Sequence, residues 1–327
     1  MRTLALAISA LALVGAAMPW RWELPPGMPT QRVPADNAMS AAKVALGRRL
    51  FYDADLSIDG TMACATCHEQ HRAFADGNAT HSGVHGDPGR RNVPGLANVA
   101  WFKVLTWGNP TITTLEAQAR VPMTGLHPIE MGMADQDTEI ARRLGHDDCY
   151  VAMFREAFPE AQGRMDFAQV AKALGAFERT LISFGSPYDA WRRGDAAAMP
   201  PDAVSGHQLF MQDCASCHSG PLLSDGRFHR LTAPAPNDAG LSEISGHTAD
   251  IGRFRTPSLR NLALTAPYLH NGAAPTIEAA IRQHPGMAAL DDRNMAKLVT
   301  FLSALTDQHF VTDKRFSLPD KACGRSL

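Results

Sequence analysis

The sequence has little excess charge of either sign. Lys and Arg number 31 against 33 Asp and Glu, a formal net charge of −2, so neither nucleic acid nor an anionic membrane is expected as main partner. Cysteine is scarce: six in 327 residues cannot staple a disulfide scaffold. Past residue 19 there is no apolar run of the roughly 18 residues that would read as a membrane span. Alternating strand patterns are also scarce. What remains is 45% hydrophobic and 20% charged, a globular composition that excludes a disordered or collagen-like chain. The length suffices for two domains, each with its own core.

Residues 1–19 read as an export signal: Arg2 in the n-region, an apolar run from Leu4 to Val14, then the small Gly15, Ala16 and Ala17. A membrane helix is the alternative, but spanning takes roughly 20 apolar residues, and Pro19, Pro25 and Pro26 stop the run. The mature protein is therefore expected in the periplasm without a membrane span. Residues 20–37 are proline-rich and read as an extended arm with no packed structure of its own.

Two C-x-x-C-H motifs stand out, Cys64-Ala-Thr-Cys67-His68 and Cys214-Ala-Ser-Cys217-His218. The spacing suits covalent haem: two thiols add to the porphyrin vinyl groups, and the next His lies under the iron. A four-thiolate zinc site and a thioredoxin-like redox pair compete, but neither requires a His after both pairs. The surroundings repeat as well. Gly47-Arg-Arg-Leu-Phe51 leads into the first motif and Gly206-His-Gln-Leu-Phe210 into the second, which points to two related haem domains.

Helical periodicity is expected over 40–51, 137–144, 167–183, 276–283 and 292–305, with Asp166 as an N-cap and Gly185 as a stop. The long Gly, Pro and Asn-rich loops between them can wrap two large cofactors. The expected architecture is mainly α: two cytochrome-c-like haem domains, 38–185 and 186–327, with the haems and a calcium site near their interface.

Ordered blocks along most of the chain resemble the bacterial diheme cytochrome c peroxidase family. They are Leu46-Gly-Arg-Arg-Leu-Phe-Tyr-Asp53, the first haem motif, Leu115-Glu-Ala-Gln-Ala119 with Pro122 and Glu130-Met131, Phe177-Glu-Arg-Thr-Leu181, the second haem motif, Phe254-Arg-Thr-Pro-Ser-Leu-Arg-Asn261, Leu264-Thr-Ala-Pro-Tyr268 and His270-Asn-Gly272. Residues 24–29, 32–37 and 105–109 are similar to the MauG-like diheme enzymes found beside methanobactin biosynthesis genes, which oxidise a tryptophan of a partner protein.

The resemblance implies roles for particular residues. His68 holds the N-terminal haem, whose open face is lined by Gln118, Pro122 and Glu130, with Glu130 shuttling a proton between peroxide oxygens. His218 holds the second haem. Counting from Thr265 reaches His284 as its other ligand, where the family has Met or Tyr, and Met287 is the fallback. Trp107 matches the tryptophan between the haems. Asn98, Thr265 and Pro267 match a calcium site with oxygen-only ligation. Arg253, Arg255 and Arg260 are candidate partners for haem propionates.

Three points stay open in the sequence. His81 or His85 caps the first haem, or that site is open. Cys149 and Cys323 are bonded, or are a buried thiol and a free one. The surface tryptophan that the MauG-type member carries two residues before the second motif is Gln212 here, so an electron exit would use another residue, such as Trp101 or Trp191.

The implied activity is that of a periplasmic diheme oxidase. Hydrogen peroxide reacts at the first haem, the high-valent state spreads over both through Trp107, and a tryptophan or other aromatic residue of an exported partner protein is oxidised. The rival enzyme is a peroxidase reducing peroxide to water with electrons from a small cytochrome c or cupredoxin. A diheme electron carrier is the non-enzymatic reading.

Overall fold

The computed structural model describes residues 20–231 and 237–327; the expected export signal at 1–19 lies outside the described residues. The first half carries α1 (Ala41–Phe51), α2 (Cys64–Cys67), α3 (Leu115–Thr124), α4 (Asp137–Leu144), α5 (Asp148–Ala157) and α6 (Phe167–Glu178). The second carries α7 (Pro187–Arg192), α8 (Pro201–Asp213), α9 (Ser242–Ser245), α10 (Ile277–Arg282) and α11 (Asp292–Ser303). Short 3-10 turns and two small antiparallel ladders complete the described elements. Strand β1 (Phe228–His229) pairs Phe228 with Arg255 of β2 (Phe254–Arg255), and β3 (Lys321–Ala322) pairs Lys321 with Ser326 of β4 (Arg325–Ser326). The expected mainly helical fold is found.

Side-chain caps start most of the longer helices. Ser40, Thr114, Asp147, Asp166 and Asp291 each accept from a backbone N–H of the first turn, satisfying one of the orphan donors there. Helix α6 ends at Glu178, short of the expected Gly185. The next carbonyls have other partners: Gln31 Nε2 donates to Arg179 O at 2.8 Å and Asn98 N to Leu181 O at 2.8 Å.

The repeated glycines are where the two halves are built alike. Gly47 of α1 crosses α6 so closely that an added Cβ would lie 1.9 Å from Ala173 O and 3.0 Å from Phe177 Cβ. Gly206 of α8 crosses α11 in the same way, 2.0 Å from Lys297 O and 2.9 Å from Phe301 Cβ. Phe51 then meets Phe177 at a ring separation of 5.3 Å, and Phe210 meets Phe301 at 5.0 Å. Each crossing seeds its own core, one around Leu46, Leu50, Phe74 and Phe177, the other around Phe210, Met295 and Phe301.

The last segment returns to the first half. Phe310, Val311 and Phe316 are buried in the first core. Arg48 donates to Lys314 O and Ser317 O, each at 2.6 Å, and Tyr52 Oη to Phe316 O at 2.7 Å. A disulfide joins Cys149 of α5 to Cys323 between β3 and β4, which settles that open pair. The N-terminal arm has no helix or strand, yet it packs on the first half: Asn37 is fully buried and donates to Glu116 Oε1 at 2.6 Å and Lys172 O at 3.0 Å. Among the described residues no helix is long and apolar enough to cross a membrane.

Candidate active site

The two C-x-x-C-H motifs occupy equivalent places, each following the phenylalanine of its glycine crossing. Cys64 and Cys67 lie on α2, Cys214 caps α8, and none of these three, nor Cys217, is bonded to another cysteine. Burial pushes the Cys67 thiol up to about 12 and the Cys214 thiol up to about 11. Both histidines are turned the same way. His68 Nδ1 meets Phe74 O at 2.7 Å, and His218 Nδ1 meets Leu223 O at 3.1 Å. Phe74 and Leu223 hold left-handed backbone, φ 61° and 51°, which bulky residues adopt only under structural compulsion. Anchoring Nδ1 on a carbonyl leaves Nε2 as the free nitrogen of an oriented imidazole, the arrangement of a metal ligand. Burial lowers both histidines, His218 to about 4, so they stay neutral and able to ligate.

The halves differ on the side facing these histidines. In the second, the His284 ring centroid lies 6.4 Å from that of His218. His284 Nδ1 also points to a carbonyl, Ala280 O at 2.9 Å. Two imidazoles on opposite sides of one metal, with metal–nitrogen bonds of roughly 2 Å, put their centroids about 6 Å apart. Met287 packs against the same core.

In the first half, Gln118 and Pro122 lie one turn apart on α3. Pro122 has no N–H to give the Gln118 carbonyl, and its own carbonyl accepts from Met131 N at 2.9 Å, which sets Glu130 beside it. Burial raises the Glu130 carboxyl, with the neighbouring His81 opposing. Gln118 Oε1 is buried with no partner among the described residues, a cost that a polar guest would relieve. His81 Nδ1 is held by the buried Asp76 carboxylate at 2.7 Å, and its loop is seated on the segment around Glu130 by Val84 N to Glu130 O at 2.8 Å. His85 is exposed.

Trp107 sits at the junction of the halves. Its Nε1 donates to Asn92 O at 2.7 Å, and its own carbonyl accepts from Arg255 N of β2 at 2.8 Å. Trp101 is tied to the arm by Nε1 to Pro29 O at 3.0 Å, and Trp191 stacks on Tyr188.

The three arginines part company. Arg260 is spent: it makes two 2.9 Å bonds to Asp189, one of 2.6 Å to Pro221 O, and stacks on Phe184. It is therefore no propionate partner, because its fork is already filled. Arg253 is 45% exposed and lies 3.7 Å from Asp250. Arg255 is buried, its side chain bonded among the described residues only to the carbonyls of Thr106 and Thr256, and burial pushes it down to about 10. A buried guanidinium without a carboxylate is costly, so it fits the carboxylate of a bound cofactor.

The expected calcium trio is corrected. Asn98 Nδ2 donates to Ser183 O, and its Oδ1 accepts from Ser183 N, both at 2.8 Å. Asn261 repeats this in the second half: its Oδ1 accepts from Asp307 N at 2.8 Å, and its N donates to Leu305 O, as Asn98 N does to Leu181 O. Both asparagines are left-handed, φ 59° and 62°. Asn98 is thus half of a repeated loop clamp, and its oxygen is not an open ligand beside Thr265 and Pro267. The chain near Thr265 to His270 is met instead by Asn92, whose N donates to His270 O at 2.7 Å. The signal was in the sequence: Pro94-x-Leu96-x-Asn98 and Pro257-x-Leu259-x-Asn261 are the same motif.

Sequence reasoning also missed Asp76, behind His81, and Glu178. Glu178 is buried near Cys64, and that burial raises it to about 8, with Arg179 opposing and Glu116 adding.

The comparisons agree with this duplicated architecture. A family model described as di-haem cytochrome c peroxidase matches residues 41–197. The chain is 33% identical to cytochrome-c peroxidase IdrP1 of Denitromonas iodatirespirans, covering 93% of this chain and 92% of that protein. It is 34% identical to the methylamine utilization protein MauG of Methylorubrum extorquens, covering 89% and 84% respectively. The solved structure of a MauG-like protein associated with microbial copper homeostasis superposes with a TM-score of 0.87 at 38% identity, covering 92% of this chain and all of that one. With relatives this similar along nearly its whole length, the chain belongs to the di-haem cytochrome c peroxidase family, whose members are diheme peroxidases and MauG oxidoreductases.

Proposed function

We propose that the protein is an exported diheme oxidase that uses hydrogen peroxide to oxidise an aromatic residue, a tryptophan, on a partner protein. In this reading Cys64, Cys67 and His68 hold one haem c, and Cys214, Cys217, His218 and His284 hold the other. When bound, the haem pair supplies peroxide reduction and the storage of two oxidising equivalents.

The residues of the chain divide the remaining work. Glu130 takes a proton from one peroxide oxygen and delivers it to the other, a task suited to an acid whose pKa burial has raised. The unpartnered Gln118 Oε1 accepts the peroxide O–H. Pro122 narrows the pocket without offering a ligand. Trp107, bonded to both halves, carries electrons between them. Arg255 holds a cofactor carboxylate at the same junction.

The observation that carries the reading is the asymmetry of the two histidine sites. His218 faces a second imidazole at 6.4 Å, whereas the α3 side of the first half offers an acid, an unpartnered amide and a proline. A carrier would need both sites closed. The peroxidase alternative keeps weight because relatives of both names cover the chain equally well.

The deciding experiment adds peroxide to the ferric holoprotein and follows its spectrum. The proposal expects one high-spin and one low-spin haem at rest, and an oxidised state that persists until an exported partner is added, whereupon the partner gains oxygen mass. Wholly low-spin haem that peroxide leaves unchanged would sink it. Rapid turnover of reduced cytochrome c, with no partner oxidised, would favour the peroxidase.

A further inference from the structure

Beside β1 and β2 the second half opens a recess of about 770 Å³, lined by Arg227, Phe228, His229, Arg230, Thr248 and Arg253 among others. Three guanidiniums in one recess are unexpected in a chain of net charge −2. Among the described residues the Arg230 guanidinium is held by two backbone carbonyls, Nε to Ile251 O at 2.7 Å and a terminal nitrogen to Ala249 O at 3.1 Å. Arg227 is exposed and has no carboxylate partner among the described residues. The acid nearest Arg253, Asp250, lies 3.7 Å away and also accepts from Ser245 Oγ at 2.8 Å. The other acid on this side, Asp225, is paired with His229 at 2.8 Å. The recess is therefore positively charged, and Phe228 gives it an apolar wall.

It also adjoins the second haem motif. The ligand atoms of Cys217, Asp225 and His229 lie within 4.8 Å of one another, and Asp225 N donates to Cys217 O at 2.7 Å. This trio is no separate metal site, since Cys217 is an attachment thiol. It makes the wall of the recess the wall of the second cofactor site.

We propose that this recess docks the protein substrate through an acidic segment. Its carboxylates pair with Arg227, Arg230 and Arg253, and its aromatic residue rests by Phe228 on the Cys217 side. The inference rests on the reading that a partner protein is oxidised. Guanidinium forks match carboxylates, and a focused positive field speeds the encounter with an acidic surface. The reaction balances. The indole gives up two electrons and two protons and gains the oxygen of one water; hydrogen peroxide takes the two electrons and two protons to form two waters.

The test uses the holoprotein, peroxide and two short peptides with a central tryptophan, one flanked by glutamates and one by lysines. Mass spectrometry follows addition of one oxygen atom. The glutamate peptide should be oxidised at least about ten-fold faster at low salt, and the advantage should shrink at about 0.5 M salt, where charges are screened over a few ångströms. R227E/R230E should abolish or reverse the preference while the haem spectrum and its response to peroxide stay unchanged. R227E alone, at an exposed side chain, should shift it the same way and keeps the test if the double variant fails to fold.

Equal rates for the two peptides, or a preference that survives R227E/R230E, would overturn the docking site. So would a changed spectrum of the second haem in R227E, which would give the recess to the cofactor's own carboxylates. If neither peptide is oxidised while reduced cytochrome c is turned over rapidly, the protein-oxidising function itself fails.

Discussion

His218 and His284 present their rings to each other 6.4 Å apart, and each is hung by Nδ1 from a main-chain carbonyl, of Leu223 and of Ala280. Neither can turn without breaking that bond, so both Nε2 atoms stay available across the gap. His284→Ala should remove the low-spin bis-imidazole signal of the second haem in electron paramagnetic resonance and leave the first unaltered. His284→Met should raise the potential of that haem, as His/Met ligation does. Met287→Ala should change neither; if it abolishes the low-spin signal while His284→Ala does not, the assignment of His284 is wrong.

On the proposed reading, Glu130 sets the pH dependence at the first haem site. Its pKa is raised above the ordinary 4.5 by burial, and the ionised form takes the proton from peroxide. The rate should therefore climb as pH rises through this raised pKa and fall below it. Glu130→Gln should slow the reaction with peroxide by roughly 10²–10⁴-fold and flatten that limb, which stopped-flow absorbance across pH would reveal.

The glycine crossings admit no side chain. Gly47→Ala would put a methyl 1.9 Å from Ala173 O, and Gly206→Ala 2.0 Å from Lys297 O. Each should destabilise by about 1–3 kcal/mol or more, visible as a lowered denaturation midpoint.

The Arg260–Asp189 pair sets a limit in acid. Burial alone would raise Asp189, but the bonds and charge of Arg260, then Ser186, outweigh it and hold the carboxyl below its usual value. A depressed carboxylate adds stability that is present above the unfolded pKa and lost as pH falls through the folded one. Asp189→Ala should cost about 3–5 kcal/mol near neutrality by stranding a buried guanidinium, and the cost should shrink in acid. Urea titrations at several pH values would test this.

Replacing both Cys149 and Cys323 by Ser frees a tie across 174 residues. Chain entropy suggests a loss of about 2–5 kcal/mol, with the haem spectra unchanged in the folded state. Denaturation of the double variant beside the unaltered protein measures it.

Much of this was legible because the chemistry is local. Haem attachment needs two thiols and a histidine at fixed spacing, and the caps at Ser40 and Asp166 need one side chain and the next turn. The repeated Gly-x-x-Leu-Phe was visible, but not that the glycine marks a helix crossing, since Ala173 and Lys297 lie far along the chain. The helix expected to reach 183 stops at Glu178 because Gln31 and Asn98, distant in sequence, take the next carbonyls. Arg260 looked no different from Arg255. Only the fold shows that one has Asp189, 71 residues away, and the other no carboxylate among the described residues. Asn98 was misassigned for the same reason, its partner being Ser183.

The closing segment, with Phe310 and Phe316 sunk among the rings of the first core, makes the molecule a loop rather than beads on a string. The opening unit cannot be excised intact, because it borrows its lid from residues 310–316. Residues 310–316 must leave the ribosome before that opening unit can be sealed.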